Sequence, residues 1–312
     1  MNATRERMVY INGDLVPESQ AVVSVFDRGF QSGDGVYDVA RTYGGKPFKL
    51  RRHLERLYNS LQYTRIDPGL TIEQMEQATL EVVEANIPLL TENEEYAIRQ
   101  TVSRGLAMPM QGIKDEANVV IYCTLIDFRS FAKFYLQGLK LVTPATRRTP
   151  SQSLSPKAKI TNKMNHHISE FEAKLADPEA YPLMLDLDGN IAESSAANFL
   201  FVSKGVLRVP NRKNALGGIT METVLDLMDG LGIPWEEGDY APFDVYNAEE
   251  AFLTGTSRAL LPVATLNGLT IGRDCPGPLT LRLQQVWSDM TGIDYVAQAL
   301  SHLTPEERAA ST

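Results

Sequence analysis

Gly33-Asp34-Gly35-Val36-Tyr37-Asp38-Val39-Ala40-Arg41-Thr42-Tyr43 runs directly into Gly44-Gly45-Lys46-Pro47-Phe48-Lys49. Gly33 and Gly35 are not a dinucleotide-binding fingerprint, because that motif needs a helix immediately after it and here an apolar strand follows. Gly44-Gly45 then supplies the positive φ of a tight turn, so Val36–Tyr43 and Pro47–Lys49 read as an antiparallel hairpin. The same punctuation recurs outward along the chain. Asn12-Gly13 joins Met8–Ile11 to Leu15–Val16. Asp188-Gly189 joins Leu183–Leu187 to Ile191–Ala192. Lys204-Gly205 joins Asn198–Val202 to Val206–Val209, and Asn267-Gly268 sits in a further pair. Antiparallel sheet is therefore expected in both halves.

Helices lie between the strands. Leu50, Leu54, Leu57 and Leu61 fall on one helical face. Thr71 with Gln74 three residues on is a capping-box pattern opening a helix to Ala85. Asn162–Ala176 reads as a helix stopped by Asp177-Pro178, Thr220–Met228 as one ended by Gly230, and Pro278–Met290 as the last. Strands near Tyr96–Ser103, Val119–Asp127 and Leu139–Thr143 complete the first half. Thr143–Pro156 holds Pro144, Pro150 and Pro156 without apolar periodicity, which is a linker signal. The expected organisation is an N-terminal small α/β domain over 1–142, a linker over 143–156 and a C-terminal domain over 157–312. The fold class is α/β of the α+β type, with mainly antiparallel sheets.

The chain has 312 residues, 30 Lys plus Arg against 39 Asp plus Glu, and a net charge of −9. An acidic balance argues against a nucleic-acid or membrane-surface partner, since both select basic faces. No run reaches the length of a membrane helix, and Met1–Tyr10 lacks a signal-peptide core. Cys123 and Cys275 cannot make a disulfide framework, and neither belongs to a CxxC pair. A reducing, cytoplasmic setting is expected, with no metal. His166 and His167 are adjacent on a helix and cannot chelate one ion together.

Several residues carry chemistry. Leu216-Gly217-Gly218-Ile219-Thr220 precedes a helix, whose N-terminal N–H groups can bind an anion; alone it reads sooner as an ordinary loop with a Thr N-cap. Thr254-Gly255-Thr256-Ser257 is a second small-polar run. Glu193 follows a hairpin among small residues and, if buried, needs a cation. Lys157, Lys159 and Lys163 read as a solvated face or as the source of one Schiff-base lysine. On composition Arg147-Arg148 favours solvated decoration over an anion-binding pair. A lysine, a carboxylate and two anion cradles are the parts that pyridoxal phosphate requires.

Asp27–Tyr37, His53-Leu54-Glu55-Arg56-Leu57, the Lys159 segment, Glu193–Asn198, Leu216–Thr220 and Thr254–Ser257 follow in an order that resembles the class IV, fold-type IV aminotransferases over nearly the whole chain. That group includes branched-chain and D-amino-acid aminotransferases, (R)-amine transaminases and aminodeoxychorismate lyases. The resemblance implies a D-amino-acid-aminotransferase-like fold and pyridoxal 5'-phosphate as cofactor. Its C-terminal domain would carry most of the cofactor contacts. Lys159 would be the Schiff-base lysine, chosen because Lys159-Ile160-Thr161-Asn162 and Glu172-Ala173 match the family's spacing. Glu193 would pair with the ring nitrogen. Arg56, Ile219, Thr220 and Thr256 would bind the phosphate, and Leu216 would pack on the ring. Tyr37, Arg41, Arg99 and Ser257 would face the substrate. A ping-pong transfer would link an amino donor to a 2-keto acid, in a homodimer.

Specificity is read from departures. The D-amino-acid enzymes carry an Arg-x-His trap where this chain reads Leu106-Ala107-Met108-Pro109-Met110, which disfavours a typical member of that group. Ala97-Ile98-Arg99 keeps the arginine of the branched-chain Tyr-Ile-Arg and loses the tyrosine. Lys163 and Ser32 stand where many relatives have aromatic or histidine side chains. The implied donor is branched-chain-like or an (R)-amine. A D-amino-acid enzyme, a same-fold lyase and a non-catalytic phosphate-ligand-binding protein are the alternatives.

Overall fold

The hairpins predicted at Asn12-Gly13, Gly44-Gly45, Asp188-Gly189, Lys204-Gly205 and Asn267-Gly268 all form. Asn12, Lys204 and Asn267 adopt the positive φ that these turns demand. The structure is a computed structural model describing residues 6–106 and 116–311. It divides into two compact units, Met1–Ile126 with Ala158–Lys163, and Asp127–Lys157 with Met164–Thr312.

The first unit is built on β1 (Met8–Ile11), β2 (Asp14–Pro17), β3 (Gly35–Tyr43), β4 (Lys46–Pro47), β5 (Tyr96–Ser103) and β6 (Asn118–Leu125). Among the described residues they form one antiparallel sheet in the order β2-β1-β6-β5-β3-β4. The Leu50–Thr64 and Ile72–Asn86 helices pack against it. Leu50, Leu54, Leu57 and Leu61 are all buried, as their spacing predicts, in a core with Val36, Ala40, Ile98 and Ile121. The Thr71 capping box forms with both of its hydrogen bonds.

The second unit carries β7 (Leu139–Val142), β8 (Tyr181–Leu185), β9 (Ile191–Ser194), β10 (Asn198–Ser203) and β11 (Val206–Pro210). It continues with β12 (Trp235–Gly238), β13 (Glu250–Gly255), β14 (Ala259–Leu266) and β15 (Leu269–Thr270). The order is β12-β11-β10-β13-β14-β7-β8-β9, with β15 on β14. Three pairs, β11/β12, β14/β7 and β7/β8, are parallel; the rest are antiparallel. Helices Met164–Ala176, Ile219–Leu231 and Pro278–Thr291 belong to this unit.

Several boundaries differ from expectation. The division falls at 126/127, and β7, expected in the first half, joins the second unit's sheet. Its partners β8 and β14 are remote in sequence, and local pattern carries no trace of a parallel pairing. Thr143–Pro156 is not a free linker: the Arg148 N–H donates to the Leu185 carbonyl at 2.8 Å, and Arg148 is buried. The helix expected from Thr220 starts at Ile219 with Gly218 as N-cap, so Thr220 is helical rather than a cap. It runs through Gly230 and ends on Gly232 in the left-handed region. The helix expected from Asn162 begins at Met164, and Tyr295–Leu300 and Pro305–Ala309 follow the helix expected to be last.

Candidate active site

In the first unit, the catalytic-lysine candidate is held as an added strand. The Lys159 carbonyl accepts from the Tyr37 N–H at 2.9 Å, and the Thr161 N–H donates to the Gly35 carbonyl at 2.9 Å. Val36 and Ile160 form an isolated bridge. This segment therefore lines the N-terminal part of β3, because β4 pairs only with Thr42 and Tyr43. The Lys159 N–H donates to Ser60 Oγ at 3.1 Å, fixing the lysine backbone to the Leu50–Thr64 helix as well. Gly35 is needed here: a Cβ would lie 2.8 Å from the Val102 carbonyl oxygen.

Strand alternation sorts the first unit's candidates onto two faces. Tyr37, Val39 and Arg41 share one face of β3, opposite Thr101, Arg99 and Ala97 on β5. Lys159 Nζ lies 4.8 Å from the centre of the Tyr37 ring, and the Arg99 guanidinium lies 4.0 Å from it. Two cations thus sit against one aromatic ring. Arg99 Nε donates to Thr101 Oγ1 at 3.1 Å. Arg41 lies on the same face, but its guanidinium stacks on Tyr43 at 3.9 Å and its Nε donates to the Thr42 carbonyl.

Asp38 points to the other face, toward the helix. It is fully buried and accepts from Arg56 Nε and Nη2, both at 2.8 Å, with His53 Nδ1 2.7 Å away. Burial alone would raise the Asp38 pKa, but the Arg56 charge and the His53 and Arg56 hydrogen bonds outweigh it and hold the carboxyl far below its usual range. Burial holds His53 below its ordinary value, and the nearby Arg56 and Lys159 charges add to the effect against the pull of Asp38. Structure thus brings Tyr37, Arg99 and Lys159 together and sets Arg56 apart, on Asp38.

In the second unit, Glu193 on β9 is buried and surrounded by donors. Arg148 Nε donates to Oε1 at 2.7 Å, the Leu216 N–H donates to Oε2 at 2.9 Å, and His166 Nε2 lies 3.7 Å from Oε1. Burial would raise the Glu193 pKa; the His166 hydrogen bond, the Arg148 and His166 charges and the Leu216 N–H outweigh it and lower it to about 2. A carboxylate here stays ionised at neutral pH.

Leu216 leads into the helix that starts at Ile219. Its N-cap, Gly218, has no side chain to cap the first turn. Asn198 on β10 braces the loop, donating Nδ2–H to the Leu216 carbonyl at 2.9 Å. A Cβ on Gly218 would fall 2.0 Å from Asn198 Oδ1, so the Asn198 side chain that braces the loop leaves no room for a side chain at 218. Thr254 pairs with Asn198 in register and so faces the same side of the sheet. Its Oγ1 is buried without a hydrogen-bond partner. Thr256 and Ser257 lie in the turn between β13 and β14.

Sequence reading gave Asp38 and His166 no part in the site; Arg148, His53, Asn198 and Thr254 lie in stretches it named, without individual roles. The need for a cation beside a buried Glu193 was legible, but which one supplies it was not. Each unit, taken by itself, holds groups whose chemistry fits part of pyridoxal phosphate. An uncapped helix N-terminus and an orphaned buried hydroxyl suit a phosphate. A buried ionised carboxylate suits a protonated ring nitrogen, and a half-buried lysine suits an aldehyde. Among the described residues no three His, Cys, Asp or Glu side chains gather as metal ligands. Of the Leu106–Met110 stretch, residues 107–110 lie outside the described residues.

Comparison with known proteins agrees with this chemistry. The family model described as "Amino-transferase class IV" matches residues 35–266. The putative branched-chain-amino-acid aminotransferase of Methanocaldococcus jannaschii is 32% identical over 284 residues, covering 90% of this chain and 96% of that protein. The D-alanine aminotransferase of Bacillus licheniformis is 28% identical over 277 residues, covering 88% and 94%. The crystal structure of the branched-chain amino acid aminotransferase from T.th., with pyridoxamine 5'-phosphate, superposes with a TM-score of 0.81 at 27% identity, covering 97% of each chain. With well over half its length matched by the family and a 32% identical relative covered almost end to end, the chain belongs to the class IV aminotransferases, enzymes that transfer amino groups with pyridoxal 5'-phosphate.

Proposed function

We propose that Lys159 carries the cofactor and that Glu193 pairs with its ring nitrogen. In the same reading Arg56, Ile219, Thr220 and Thr256 hold its phosphate, and Leu216 packs on its ring. Tyr37, Arg41, Arg99 and Ser257 serve the substrate. One observation carries the reading: the 2.9 Å hydrogen bond from the Leu216 N–H to Glu193 Oε2, which ties a buried anion directly to an open helix N-terminus.

Bound pyridoxal phosphate supplies an electron sink that makes the Cα–H bond of an amino donor acidic. Lys159 Nζ would hold the aldehyde and, once released, would carry the proton taken from the donor's Cα. The Tyr37 ring stabilises the ammonium form in which the proton is carried. Glu193, anionic at working pH, would accept a hydrogen bond from the ring nitrogen and hold the proton there. Asp38 sets the orientation of the Arg56 guanidinium through two parallel hydrogen bonds. Arg99 offers a cation to the carboxylate of a 2-keto acid.

The donor is a branched-chain amino acid or an (R)-amine. Reconstituted enzyme mixed separately with L-leucine, D-alanine and (R)-1-phenylethylamine tests this by loss of the long-wavelength cofactor band. Discharge by L-leucine or the (R)-amine, and none in Lys159→Ala, is expected. Failure of all three donors together with pyruvate release from aminodeoxychorismate would assign a lyase. The working form is a homodimer. Support comes from apolar side chains on the Met164–Ala176 helix, where Phe171 and Leu175 are 70% and 87% exposed, and from exposed Val22, Phe26 and Phe30 in the first unit. Light scattering on the holoenzyme checks it. Free thiols at Cys123 and Cys275 fit a reducing cytoplasm.

A further inference from the structure

Glu193 receives its donors from three separate segments. Arg148 comes from the stretch after β7, His166 from the Met164–Ala176 helix, and the Leu216 N–H from the loop before the Ile219 helix. Such convergence is costly to build. A buried carboxylate with one cation removed loses the compensation that keeps it charged. Arg148 and His166 both approach Oε1, whereas the backbone N–H holds Oε2. One oxygen is thus governed by charge and the other by geometry.

We propose that Arg148 and His166 are positioning residues that act through Glu193, holding it as an anion in one orientation so that the cofactor's ring nitrogen, not the carboxylate, keeps the proton. The inference rests on the reading of Glu193 as the ring-nitrogen partner. In a water-poor site a carboxylate and a pyridine share one proton, which lies either on oxygen or on nitrogen. A guanidinium 2.7 Å from the carboxylate stabilises its anion strongly. It would oppose a ring cation less wherever that cation lies farther away than the carboxylate, because the interaction falls with separation. The imidazole at 3.7 Å acts in the same sense. Arg148 Nε on Oε1 and the Leu216 N–H on Oε2 together fix the carboxylate plane.

The test loads the full chain with pyridoxal phosphate carrying 15N in its ring and reads the nitrogen chemical shift, which reports ring protonation. A protonated shift is expected for the wild type. Arg148→Gln moves the shift toward the unprotonated value, Arg148→Lys restores most of it, and His166→Asn gives a smaller movement. The cofactor dissociation constant rises about tenfold in Arg148→Gln, the size of one hydrogen bond to a charged group. Glu193→Gln separates the two readings. If Glu193→Gln shifts the nitrogen while Arg148→Gln and His166→Asn do not, the positioning roles are refuted and the ring-partner reading stands. If Glu193→Gln leaves the nitrogen protonated, the ring-partner reading falls and the positioning roles fall with it. Should Arg148→Gln not fold, His166→Asn decides the matter, with an unchanged shift and affinity counting against the proposal.

Discussion

Replacing Asp38 by Asn removes the anion that organises Arg56 and His53 beneath β3. The side chain is fully buried and accepts from Arg56 at 2.8 Å twice and lies 2.7 Å from His53 Nδ1. Hydrogen bonds to charged groups contribute about 1.5–3 kcal/mol each, and burial of the carboxylate offsets much of the gross sum. Breaking a buried pair from one side costs about 3–5 kcal/mol. Arg56 keeps 13% of its side-chain surface exposed and recovers some hydration, which favours the lower end. The expected loss is therefore about 3 kcal/mol in urea unfolding of the cofactor-free protein at pH 7.5. A sign prediction accompanies the magnitude. The folded-state pKa of Asp38 is depressed, so its stabilisation is present above the ordinary value of 3.8 and drains away as pH falls below it. Asp38→Asn therefore loses less, relative to wild type, at pH 3 than at pH 7.5. Arg56→Met with Asp38→Asn should cost less than the sum of the single changes. A loss under about 1 kcal/mol, or one independent of pH, would refute the claim that this carboxylate is the anchor of Arg56.

Gly218→Ala places a methyl 2.0 Å from Asn198 Oδ1 and must displace the brace on Leu216; cofactor affinity measured by equilibrium dialysis should fall about tenfold, with Asn198→Ala falling less. Glu193, lowered from 4.5 to about 2, contributes about 3 kcal/mol that is present above its unfolded value and lost as pH falls toward 2. Thermal unfolding of Glu193→Gln should accordingly vary less with pH between 5 and about 2 than that of wild type.

Much of this architecture was legible locally. The glycine turns and the Leu50–Leu61 face declare themselves within a few residues, because turn geometry and helical periodicity are short-range properties. The lysine segment, Glu193 and the Leu216–Thr220 turn were legible as motifs. Their settings were not, because those depend on residues remote in sequence. Arg148 looked like decoration because its partner lies 45 positions away. The Met164–Ala176 helix is more instructive. Its apolar side chains, Ile168, Phe171 and Leu175, face outward, while His166, Ser169 and Ala173 are buried. Periodicity would turn that helix the wrong way and leave His166 in solvent. A hydrophobic stripe marks a face that seeks cover without saying whether the same chain provides it.

Annealing of residues 158–163 onto β3 bears on how the chain can be cut. A fragment ending at Ile126 would keep every strand of the first sheet, yet leave the Gly35–Tyr37 backbone without the groups that satisfy it. An open strand edge of that kind recruits other strands, so such a fragment should associate through the edge that residues 158–163 cover in the intact chain. Supplying residues 158–163 in trans as a peptide should suppress that association, and the added strand would bring the reactive lysine with it.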